Sequence, residues 1–282
     1  MNSLVDIQLK CIAPDKGVVA IPNRTESNQP ILARSDDPLT QQMVGVDSAA
    51  TIQKLLDEAI ARARRAVPSS SRPPALTMER LVWRYSGLYH LTHATPQLMY
   101  EASQGFTLLG SDYRILAEWA TKKACEEKGH DRLALSDIRS LGYQAEDVVE
   151  TLVPPAALAL IDYFIRSVQA PDSLGCVGYC YALERLALIV GEKFIQTVEA
   201  LLPPGTKATN CVRIHSSLGS DLEHVKETIE MVTELDSEKR RRVVETCYET
   251  ALLCFTPPKE GYISDEELQN KLEPLRIHDD LR

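Results

Sequence analysis

"SDYRILAEWATKKACEEKGHDRLALSDIRSLG" (residues 111–142) reads as one helix, with Gly142 as its C-cap, and this reading sets the fold class. Carboxylates and one imidazole crowd between 126 and 137, with the apolar Leu133, Leu135 and Ile138 among and just after them. Glu127 and His130 are three apart, so on a helix they share a face. A carboxylate and an imidazole on one face can grip one ion. Glu126, four before His130, shares that face as well.

Helical periodicity continues on both sides. "DSAATIQKLLDEAIARARRA" (47–66) opens on a capping residue and spaces Ile52, Leu55, Leu56, Ala59, Ile60 and Ala63 for one buried face. "VPSSSRPP" (67–74) is a linker, because proline cannot continue a helix. Helices follow over "MERLVWRYSGLYHLTHATP" and "PQLMYEASQGFTLL", and over "PPAALALIDYFIRSVQA", which starts on prolines as a first turn allows. The apolar "LGCVGYCYALERLALIVGEKFIQTVEALLPPG" stops at Pro203, Pro204 and Gly205. "TNCVRIHSSLGSDLEHVKETIEMVTEL" and "SEKRRRVVETCYETALLCF" complete the set. No period-2 run demands a strand. The expected fold is an all-α bundle of roughly seven to nine helices. Residues 46–260 form the helical domain, 1–45 an irregular polar N-terminal arm, and 261–282 a C-terminal tail.

Bulk properties exclude several classes. The chain has 282 residues, 44% of them hydrophobic, enough for one large core. A net charge of -9 argues against a nucleic-acid partner, since phosphate binding needs a basic surface. No apolar run reaches the ~18–20 residues of a membrane span. Seven scattered cysteines and no secretory apolar run near the start lead us to expect a reduced, cytoplasmic setting. Cys176 and Cys180 lie on one helix with no second pair, which is not a zinc spacing. No glycine-rich phosphate loop appears.

Other residues could join Glu127 and His130. "SDLEHV" gives Asp221 and His224 the same i, i+3 spacing, and His215 lies shortly before them. Glu184 falls in an apolar stretch, where a carboxylate is costly unless paired or metal-bound. Arg185 beside it offers the plainer account, an ion pair at the helix surface. His93 is a further candidate ligand. Mixed nitrogen and oxygen donors suit iron or manganese better than a structural zinc. On a regular helix His215 and Asp221 point apart by some 120°. For His215 to join, the helix must break between them, most cheaply at Gly219, with Ser216 and Ser217 satisfying freed backbone groups. The aromatic residues Tyr85, Tyr89, Phe106, Tyr179 and Tyr181 read as core packing or as substrate contacts.

The order of Glu and His in "EEKGHDRLALSDIRSLG", Glu in "GYCYALE", and His, Asp and His in "HSSLGSDLEHV" resembles the haem-oxygenase-like di-iron oxidases and oxygenases, over roughly residues 80–235. "YHLTHATPQL" is similar to that family's first core helix. The resemblance implies a bundle of about seven core helices without haem. It implies two Fe(II) ions, O2 as co-substrate, and oxidation of a small metabolite such as an amino acid, amine or fatty acid, commonly in specialised-metabolite biosynthesis. It makes Glu127, His130, Glu184, Asp221 and His224 ligands, with His215 and His93 added. Two positions depart from the family. Its His-x-x-x-Asp-x-x-His group has Ser217 here where the first histidine belongs. Its first-helix Glu is replaced by the region of His90 and His93, with Glu101 further on. Asp131 and Asp137 would orient ligands or cap the bend after His130. A small-molecule substrate and a homodimer are the expected partners. Two rival readings use the same residues: a cofactorless or thiaminase-like enzyme of this fold, and a non-enzymatic helical interaction protein.

Overall fold

A computed structural model describes residues 48–67, 74–216, 221–256 and 263–277. The N-terminal arm, most of the linker, Ser217 and Gly219 lie outside the described residues. Among the described residues the chain is all-α, with eleven α-helices, two short 3-10 turns and one isolated bridge between Tyr143 and Arg276.

Helix α1 spans Ala49–Ala66, and the Ser48 side chain caps it by accepting from Thr51 N. Its six periodic apolar residues are all buried. Helix α2, Met78–Leu109, is a single rod of 32 residues that carries Pro96 in its interior. The two sequence segments there are therefore one element. Tertiary packing on both sides offsets the hydrogen bond that Pro96 does not make.

Residues 111–142 depart from the single helix that their pattern suggests. Helix α3, Arg114–Glu126, stops at Glu127, and helix α4, Asp131–Ser140, starts after His130. Gly129 sits between at φ 89, a left-handed conformation that glycine adopts without a Cβ penalty. Gly142, at φ 84, ends α4 as expected. Short α5, Ala145–Thr151, leads into α6, Pro155–Gln169, which starts on proline.

Helix α7, Gly175–Leu201, is the long apolar rod that the prolines stop. Helix α8, Asn210–Ile214, is short, and α9 runs Asp221–Thr233. Helix α10, Ser237–Phe255, is capped by the Asp236 side chain. Helix α11, Asp265–Leu272, is capped by Ser264 and lies within the segment read as a tail. Its Leu268 and Leu272 are fully buried against α2 and its surroundings, so it belongs to the folded body.

Two apolar clusters fill the bundle. One joins α1, the C-terminal half of α2, α3, α6, the first half of α7, α9 and α10. The other joins the start of α2, α4, α5, the end of α7, α8 and α11. The polar residues described next come from α3, α7 and α9, with the α3–α4 turn and the end of α8. Among the described residues no single helix is long and apolar enough to cross a membrane. The pair α5–α6 passes that composition test only together, and it is bent by 75°.

Candidate metal centre

Each element contributes by its ending or by its buried face. Because α3 stops at Glu127, the i, i+3 pair meets across a turn. His130 Nδ1 donates to Glu127 Oε2 at 2.8 Å. Glu127 is 6% exposed. Burial pushes its carboxyl up, but His130, His215 and Lys123 together hold it below its ordinary value.

Helix α7 delivers Glu184 into the same space. Arg185 turns the other way and forms a bidentate ion pair with Asp57, both contacts at 2.8 Å. The surface Glu184–Arg185 pair is thus replaced by an inward carboxylate, 8% exposed. Burial lifts the Glu184 carboxyl to about 7, against the pull of Lys123. Lys123 Nζ lies 2.5 Å from Glu184 Oε1. Sequence reasoning passed over Lys123, although it stands one helical turn before Glu127 and so shares its face. Burial works against its ammonium, yet Glu184 carries it above the ordinary lysine range.

Helix α8 ends at Ile214, and His215 leaves it at ψ 39. The helix break is therefore present. Its expected place at Gly219 is outside the described residues. His215 Nδ1 comes within 3.4 Å of Asp221 Oδ1, and its ring meets that of His130 edge to face, centroids 5.0 Å apart. Burial lowers His215, and Asp221 reverses this to a net rise. His224 faces carboxylates with both nitrogens: Nε2 is 3.3 Å from Glu126, and Nδ1 is 3.7 Å from Asp221 and 3.9 Å from Glu184. Burial lowers it, but Asp221 and Glu126 prevail and raise it to about 9.

Two triads result: Glu127, His130 and His215, and Glu127, Glu184 and His224. In each the donor atoms lie within 4.8 Å of one another. Ligands about 2.0–2.2 Å from one ion fall within such a span. Glu127 is common to both, as a bridging carboxylate would be. Beside Lys123 Nζ, which pairs with Glu184 by charge, four buried atoms of this cluster that could ligate a metal have no hydrogen-bond partner: Glu184 Oε2, Asp221 Oδ2, His215 Nε2 and His224 Nδ1. Buried polar atoms are normally satisfied, so these donors fit a cation.

The remaining candidates lie elsewhere. His93 is absent from both triads. It pairs with Asp131 at 2.8 Å, stacks on Tyr89, and keeps 44% of its side chain exposed. His90 bonds the Val149 carbonyl, and Glu101 accepts from Gln97. Glu126 contacts His224 and Lys122 with its side chain 32% exposed, so Glu127 is the inward carboxylate. Asp131, expected to orient a ligand or to cap the bend after His130, pairs with His93 and accepts from Arg132 N. Asp137 is fully buried and accepts from Asn210 N, Asn210 Nδ2 and Cys211 N, which anchors α8 just ahead of His215.

No family model and no curated protein matches the chain. Among solved structures it is similar to a domain of unknown function with a haem-oxygenase-like fold from Shewanella denitrificans. The identity is 22% and the TM-score 0.56, over 73% of this chain and 86% of that one. It is also similar to a TenA homologue from Pseudomonas syringae, at 15% identity and TM-score 0.52, over 83% of this chain and 98% of that one. The all-α bundle is a haem-oxygenase-like fold with a buried cluster of carboxylates and imidazoles at its centre.

Proposed function

We propose that this protein is a non-haem iron oxidase or oxygenase that oxidises a small metabolite, such as an amino acid, amine or fatty acid. The observation that carries this reading is the pair of buried carboxylate–imidazole triads sharing Glu127, with unsatisfied donor atoms turned inward. Glu127, His130 and His215 would hold one ion, and Glu184, His224 and Glu127 border a second position. Bound Fe(II) supplies O2 activation. Asp221 orients the His215 ring by accepting from Nδ1, which would leave Nε2 free to hold the ion. His130 Nδ1 donates to Glu127, which keeps these two ligand side chains adjacent. Burial of Glu127 and Asp221 excludes bulk water and strengthens their hold on a cation.

The test is anaerobic Fe(II) binding followed by O2 uptake. We expect tight iron in the wild-type chain, and its loss in His130→Ala with the far-UV helical signal retained. A chain that takes up no tight iron would favour the cofactorless reading. In that case Lys123 and Glu184 would face an organic substrate as an ion pair.

A further inference from the structure

Lys123 is the one ammonium inside the carboxylate cluster among the described residues, and its position bears on how many metal ions the cluster takes. Its side chain is 4% exposed, and Nζ lies 2.5 Å from Glu184 Oε1. A divalent ion bound by Glu184 would stand about 2.0–2.2 Å from a carboxylate oxygen. Ammonium and ion would thus compete for one carboxylate and for nearly the same space, and two cations so close repel. The other triad has no such occupant. It comprises two histidines and one carboxylate, a set that binds a single Fe(II) and leaves coordination positions open. His215 Nε2 has no hydrogen-bond partner there.

We propose that Lys123 is the resident cation of the second triad: the chain takes one divalent ion, at Glu127, His130 and His215, and the ammonium fills the place of the other. This rests on the metal-centre reading and refines it from two ions to one. Glu184 is then the partner of Lys123, not an iron ligand. Asp221 orients His215 in place of ligating. The lysine also accounts for an interior with three buried carboxylates (Glu127, Glu184 and Asp221) around a single ion.

Metal stoichiometry tests this without any substrate. Desalted protein is titrated anaerobically with Fe(II), and separately with Mn(II), and bound metal per chain is measured. The wild type should bind one tight equivalent, and Lys123→Met two. Lys123→Arg, which keeps a cation, should bind one. Glu184→Gln takes the charge from the carboxylate that Lys123 pairs with and keeps its shape; it should keep one equivalent with affinity within about threefold of wild type, whereas Glu127→Gln should lose it. Two tight equivalents in the wild type, or loss of the tight ion in Glu184→Gln, would overturn the proposal while leaving the metal centre standing. A folded Lys123→Met that binds one equivalent overturns it likewise. No tight metal in the wild type would overturn both.

Discussion

His224 has carboxylates at both ring nitrogens, and this makes the metal-free protein sensitive to alkali. Its pKa is raised from the ordinary 6.5 to about 9, burial opposing and Asp221 and Glu126 prevailing. A pKa raised in the folded state means that the fold holds a proton that the unfolded chain releases. The resulting stability is fully present below pH 6.5 and is lost as pH rises through about 9. Chemical denaturation of metal-free protein at pH 6.5 and at pH 9.5 should show a loss on the order of a few kcal/mol. His224→Gln should flatten that profile. An equally steep profile in the variant would assign the loss to other groups. At this scale the sequence was informative for Glu184: its apolar surroundings already marked it as paired or metal-bound. It was uninformative for Lys123, because a lysine inside a charged helical segment looks the same whether it is solvated or buried. Only the partner on α7 distinguishes the two.

Two short backbone features set the positions of the ligands on neighbouring elements. The α3–α4 turn brings Glu127 and His130 together through Gly129, so a pair read as one helix face is in fact a helix end. The convergence was legible and its cause was not, because a glycine flanked by good helix formers reads as a tolerated interior residue. The second feature is the hold of Asp137 on α8. Three N–H groups donate to its carboxylate, at 3.1, 2.8 and 2.8 Å. A helix of five residues cannot persist alone, so Asp137 determines where His215 stands. Asp137→Ala should destabilise the protein by about 2–3 kcal/mol, from a lost cap and unsatisfied buried donors. It should also weaken metal binding at least tenfold while the far-UV signal persists. Unchanged metal affinity in a folded variant would show that α8 is held by other contacts, such as the Tyr85 hydroxyl donating to Ala208 O.

Across the whole molecule, the bundle depends on how closely α7 and α10 approach. A Cβ built on Gly178 would collide with Thr246 Oγ1 and the Val243 carbonyl, and would lie 2.6 Å from Cys247 N. Gly178→Ala should cost about 1–3 kcal/mol, read as a shifted denaturation midpoint. A midpoint equal to wild type would mean that the seam yields without strain. The sequence by itself determined the helical class, the buried face of α1, the proline stop of α7, the Gly142 cap and the condition that His215 joins Asp221 and His224 only if the helix breaks between them. These follow from local spacing and from the conformational limits of glycine and proline. It could not show that Arg185 leaves Glu184 for Asp57, that His93 turns to Asp131, or that Lys123 stands among the carboxylates. Each of these depends on a partner brought from a distant part of the chain. Burial makes such pairings decisive, because a charge inside the bundle must be matched by whatever the packing places beside it.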